Sequence, residues 1–311
     1  MRPAWSVLLL TTLIGAGQGL FLALFAADAY DAARGQASLA PVFVAASVAG
    51  SLALVGAGLL ASFFHLGRPE RAWRSAAMWR TSWLSREVIA LPLFMALVTA
   101  YGALHWLGRL QGALVAGGLA ALACIALFVC TAMIYACLKF LQEWHTPLTV
   151  ANFILLGSAS GFTAAAALAA WLHPVLAHAY VAAALMVGAL GYLTRLASLA
   201  RNARLRPKST LATAIGIKHP KIVQIAQGAM GGSFNTREFF HGRPREVVRA
   251  TRWTFLALVF PLPALMLFAA GNSVWAIGAA FVLQYAGLLA ERWYFFAEAK
   301  HPQNLYYQAI S

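Results

Sequence analysis

Eight apolar runs, each long enough to cross a bilayer, alternate along this chain with short clusters that hold nearly all of its charges. The runs lie near 5–27, 39–64, 87–107, 111–138, 147–172, 174–194, 253–270 and 273–290, and Glu87, opening the third, is the one Asp, Glu, Lys or Arg inside them. A spanning helix needs about 17–25 such residues. A membrane-spanning barrel would instead show ~10-residue segments of alternating polarity, and lipid admits only helices or closed barrels because every backbone group must be satisfied internally. The expected fold is therefore all-α and integral to the membrane: eight transmembrane helices in a single polytopic domain over 1–311, with a long basic loop at 195–252. A composition of 61% hydrophobic against 10% charged residues agrees, since a soluble protein could not hide that much apolar surface.

The basic residues are unevenly distributed. With both termini on one face, that face takes 21 of the 23 Lys and Arg and the other keeps Arg34 and Arg109. Lys and Arg bias loops toward the cytoplasm, so both termini and the large loops are expected inside a bacterial inner membrane. The net charge of +14 then describes a cytoplasmic surface, suited to anionic lipid or to an acidic partner protein. No recognition motif points to nucleic acid.

The first span is longer than the ~7–15-residue apolar core of a signal peptide, so it reads as an anchor. Cys124, Cys130 and Cys137 share the fourth span without metal-ligand spacing and read as packing residues, with no metal site expected. Gly15 and Gly19, four apart, suit the close approach of a neighbouring helix.

Two loops carry the candidate chemistry. The first runs from Phe63-Phe64-His65-Leu66-Gly67-Arg68-Pro69-Glu70-Arg71 through Trp73-Arg74 to Trp79-Arg80-Thr81-Ser82-Trp83-Leu84-Ser85-Arg86-Glu87. A quinone site needs an apolar slot, aromatic walls, donors to two carbonyls and groups that exchange protons. His65 ends the second span and titrates near neutral pH. Glu87 opens the third, where burial and the adjacent Arg86 act on its charge in opposite senses. The plainer readings stand beside these: arginines and tryptophans are ordinary interfacial anchors, and Glu87 can be a helix-terminal charge two residues after an N-cap Ser85. The second loop repeats the vocabulary, with Ser233-Phe234-Asn235-Thr236-Arg237-Glu238 and Phe239-Phe240-His241-Gly242-Arg243-Pro244 echoing segments of the first.

Taken together, the His65–Pro69, Trp83–Glu87 and Asn235–Gly242 segments on an eight-span frame resemble the membrane-anchor subunits of the dimethyl sulfoxide reductase type, over essentially the whole chain. The resemblance implies two four-helix bundles and a subunit that binds quinone, ubiquinone or menaquinone, beside an iron–sulfur subunit, which in turn serves a molybdopterin catalytic subunit. It implies His65 and Glu87 as the quinone-site pair, with Arg68, Trp79, Trp83, Ser85 and Arg86 around them. Arg71, Arg74, Arg237, Glu238, His241, Arg243 and Arg245 are then expected to dock the partner. Similar anchors serve a cytoplasmic sulfite-oxidising complex that reduces quinone, and the 21 to 2 distribution favours that direction over menaquinol oxidation. Haem b is not expected, because no two histidines pair clearly within the membrane.

A secondary transporter is the alternative of another class. Its marks would be broken helices and ionisable groups near the midplane. Here Pro261 and Pro263 make the only strong interruption and the spans carry no charge beyond Glu87, so electron transfer without proton pumping is expected. The stretch Ile222–Ala229 is a candidate interfacial helix.

Overall fold

The computed structural model describes residues 1–36, 39–64, 66–223, 225 and 238–306. His65, Arg237 and most of the stretch Ile222–Ala229 lie outside them. Each expected span is helical: α1 (Trp5–Ala33), α2 (Pro41–Phe63), α3 (Trp83–Trp106), α4 (Leu110–Ala136), α5 (Pro147–Leu172) and α6 (Ala177–Ala203), then, after a one-turn helix α7 (Leu211–Ile215), the seventh span as α8 (Arg245–Val259) with α9 (Pro261–Ala269), and the eighth as α10 (Val274–Glu298). No strand occurs among the described residues.

Several helices outrun the apolar runs that announced them. α1 carries Asp28 and Asp31, α6 carries Arg195 and Arg201, and α10 carries Glu291, Arg292 and Glu298. Helical geometry does not end where hydrophobicity does, provided the added side chains find partners. Local chemistry sets the starts: Pro41 and Pro147 occupy first-turn positions that need no amide donor, and the Ser82 side chain accepts from Ser85 N. The N-cap of α3 is thus Ser82 rather than Ser85, which puts Glu87 a full turn inside the helix. The seventh span breaks at Phe260 (φ −114°, ψ −79°) before Pro261, as the proline pair predicts, whereas Pro92 is accommodated inside α3. Gly108 (φ 69°) and Gly271 (φ 54°) turn the chain between α3 and α4 and between α9 and α10, a left-handed geometry that suits glycine.

The short turns make α3–α4, α5–α6 and the last two spans packed hairpins. α1 and α5 are the most enclosed helices. They cross at glycines: a methyl group on Gly161 would overlap the Gly19 backbone, and one on Gly157 would meet Gly15 and Phe128. The Gly15/Gly19 pair therefore finds its complement on α5, where dispersion over closely approaching backbones replaces the hydrophobic drive that lipid removes. Because α1 packs on α2, α4, α5 and α10, and α5 on α1, α2, α4, α6 and α10, these two helices tie the spans together without a clean division into two four-helix sets.

Large exposed side chains form the lipid-facing belt, among them Leu60, Leu93, Leu119, Leu122, Met186, Leu265 and Val282. Exposed tryptophans mark its edges: Trp5, Trp73 and Trp79 near the face that holds the start of α1, and Trp106, Trp171 and Trp275 near the other, the positions amphipathic rings favour.

Candidate functional site

The candidate site lies just inside the face where α1, α3, α5 and α8 begin and α2, α4, α6 and α10 end. Glu87 is 7% exposed. Its Oε1 accepts the hydroxyl of Thr131 on α4, and the two side chains share a cavity with Thr11, Thr12 and Gln18 of α1, Phe128 of α4, Phe153 of α5 and Arg292 of α10. The space open to the centre of a water molecule is about 20 Å³. That admits a water but not a ligand ring, since pockets for drug-sized ligands run to about 300–1,000 Å³. Gln18 is fixed by donating Nε2 to Cys124 O at 2.8 Å, and Thr12 by contact with Tyr285 OH at 3.1 Å. Cys124 and Cys130 are buried among packed helices, and Cys137 is exposed past the end of α4.

Beside this cavity lies an ion cluster that the apolar runs did not announce. Arg195 of α6 meets Glu291 of α10 at 2.8 Å, and Glu291 also faces Arg292 at 3.3 Å. All three are buried. The Arg292 guanidinium lies 3.8 Å over the Phe153 ring, and Tyr135, Trp144, Phe295 and Phe296 pack around it as an aromatic cluster. Charge in a membrane core persists only when paired and shielded in this way. The expectation that Glu87 is the only charge inside the spans is therefore corrected. Arg195, Glu291 and Arg292 follow the apolar runs and so resemble loop residues in sequence, yet α6 and α10 continue past them. Gln18 and Thr131 escape a search for charge-free runs because such a search passes over neutral polar residues, although a glutamine in mid-span is a visible signal.

The remaining predicted residues are distributed around the rim. Ser85 is buried two residues before Glu87. Arg86 donates Nε to Trp79 O at 2.9 Å and Nη2 to Arg80 O at 2.8 Å, and its guanidinium stacks 4.2 Å over Trp83; it pins the turn into α3 rather than facing Glu87. Trp79, Trp83 and Arg68 do not line the Glu87 cavity. Arg68 is exposed just before the 3₁₀ segment Pro69–Met78 and Arg71 and Arg74 are exposed along it, with Arg74 against Trp73. On the second loop Glu238, Arg243 and Arg245 are exposed and His241 is half-buried. Glu238 O accepts Arg2 N at 2.9 Å, Phe239 stacks on His301 at 3.7 Å, and Phe239 O accepts Asn304 Nδ2 at 3.1 Å. Burial holds the His241 imidazole below its ordinary range, with nearby positive charge acting in the same direction.

At the opposite face, Asp28 Oδ2 accepts from Tyr101 OH and contacts His105 Nε2, each at 2.9 Å. Arg34 and Arg109 flank that end.

Eight long apolar helices with an enclosed ionisable site under one basic face define a multi-pass membrane protein. The family model of the DMSO reductase anchor subunit (DmsC) matches residues 1–307, and the chain belongs to that family. It is also similar to a sulfite dehydrogenase subunit of Allochromatium vinosum, with 56% identity over 326 aligned positions and both chains covered in full.

Proposed function

We propose that this anchor subunit exchanges electrons between a partner iron–sulfur subunit and the membrane quinone pool, in a complex whose third member carries molybdopterin. The observation that carries the reading is the buried Glu87 beside Thr131, Gln18 and Arg292. Quinone chemistry moves protons with electrons, and the side chains that can exchange them are concentrated under the basic face.

The donor set fits proton exchange with such a lipid, while the cavity is too small for its ring. Glu87 is therefore assigned to proton exchange, and ring contacts to Arg68, Trp79, Trp83 and Ser85, with Arg86 as the residue that shapes the turn; His65, outside the described residues, keeps the role beside Glu87 that the family resemblance implies. The exposed arginines at 71, 74, 243 and 245, with Arg237, Glu238 and His241, form the docking surface for the iron–sulfur partner. The lipid itself supplies the two-electron chemistry when bound.

Direction follows from two supports. The distribution of basic residues favours a cytoplasmic docking face, with both termini and the 204–244 connection on the same side, and the relative from Allochromatium vinosum bears the name of a sulfite dehydrogenase subunit. The protein is therefore read as passing electrons from sulfite oxidation to quinone. In the assembled complex, Glu87→Gln is expected to slow quinone reduction about 100-fold, the range of a lost general acid, with the partners still bound. Wild-type turnover in that variant overturns the assignment. A reporter fused after Ser311 that is active only outside the cytoplasm reverses the orientation.

A further inference from the structure

A second cavity lies toward the basic face, lined among others by Glu143, Asn152, Arg195, Asn202 and Glu291, with about 10 Å³ open to the centre of a water molecule. It shares Phe153 and Arg292 with the Glu87 cavity, so the two adjoin at those side chains. Its outer members, Glu143 in the α4–α5 connection and Asn202 near the end of α6, are half-exposed. Its inner wall is fixed by polar contacts: Asn152 Nδ2 donates to Ser198 Oγ and Thr194 Oγ1 donates to Asn152 Oδ1, each at 2.8 Å. The Nη2 of Arg195 is buried without a hydrogen-bond partner among the described residues, an orphan donor that a water in this cavity would satisfy.

We propose that the paired cavities form a proton inlet from the basic face to Glu87, with Glu143 at the mouth, Asn152 in the wall and Arg292 at the junction. The inference rests on the quinone reading above. A carboxylate enclosed by packed helices cannot exchange protons with solvent at catalytic speed unless polar groups and water connect it. Reduction of one quinone takes two electrons and two protons. The electrons come from the iron–sulfur partner, and the protons enter from water on the same face through Glu143 and the water of the outer cavity, then pass to Glu87. Arg292 stays charged throughout, held by Glu291, and acts as a positioning residue that orients water at the junction. The two protons taken up from the basic face end on the quinol oxygens, so this step carries no proton across the membrane.

The test uses the intact complex in membranes with a short-chain quinone, turnover being normalised to retained iron–sulfur subunit. Glu143→Gln and Asn152→Leu are each expected to slow quinone reduction, Glu143→Gln by about 100-fold, the low end for a lost proton-transfer group, with KM for quinone unchanged and a larger solvent deuterium isotope effect. Glu143→Asp, or a small membrane-permeant weak acid added to Glu143→Gln, is expected to restore the rate. If both variants match the wild type in rate and isotope effect while Glu87→Gln is slow, the inlet is wrong and the quinone reading stands. If Glu87→Gln is also at wild-type rate, both fall. Glu143 is half-exposed and tests the inlet even if Asn152→Leu fails to assemble.

Discussion

Thr131 on α4 donates its hydroxyl to Oε1 of Glu87 on α3, a bond across the hairpin that fixes one carboxylate oxygen beside the shared cavity. The valine replacement keeps the shape and removes the donor. Thr131→Val is expected to cost about 1–3 kcal/mol, the penalty of a buried polar group left without its partner, and to slow quinone turnover less than Glu87→Gln does. Thermal unfolding in detergent and turnover of the assembled complex check the two halves.

The Arg195–Glu291–Arg292 cluster predicts asymmetry between single and double replacements. Glu291→Gln leaves Arg195 and Arg292 buried without their anion and is expected to destabilise by about 3–5 kcal/mol, whereas Glu291→Gln with Arg195→Met removes one of the two orphaned charges and is expected to recover part of that loss. A double-mutant cycle by denaturant unfolding in mixed micelles measures it. Additive costs would mean that the pair is not coupled.

Gly161 lies against the backbone of Gly19 where α1 crosses α5. A leucine there cannot be accommodated by a side-chain shift, because the obstacle is main chain. Gly161→Leu is expected to exceed the ~1–3 kcal/mol usual for overpacking and to abolish accumulation of folded protein, while Gly56→Leu, in open space on α2, is expected to accumulate normally. Comparable levels of the two would refute the crossing.

His301 stacks on Phe239 at 3.7 Å, and burial, aided by nearby positive charge, lowers its affinity for a proton below the ordinary range. The folded state therefore binds the proton less readily than the unfolded chain. The stabilisation is complete above the unfolded value, near pH 6.5, and is lost as pH falls through the lower folded value. Hydrogen exchange around 300–304 is expected to accelerate on acidification through that window, and His301→Phe to weaken the pH dependence, the remainder resting on His241 and the Met1 amine bonded to Ala299 O.

Arg243 and Arg245 are exposed beside the start of α8. Replacing both by Glu is expected to release the partner subunits on washing membranes at physiological salt, with the anchor still folded. Partners that remain bound would remove the second loop from the docking surface.

The sequence by itself determined the class of fold and singled out Glu87 as a candidate for chemistry. Charge-free runs mark the helices because lipid penalises every unpaired charge, the glycine pair at 15 and 19 marks the tightest crossing because only hydrogen fits there, and Glu87 is conspicuous because so few ionisable groups share its environment. Only the tertiary structure decided which side chains meet it. Thr131, Gln18 and Arg292 come from three other helices, and their convergence depends on the rotation and depth of each helix, which apolar runs rich in Ala and Leu leave undetermined. The same holds for Arg195 and Glu291: each resembles the start of a loop until the partner helix supplies the opposite charge, and that pairing permits both to be buried.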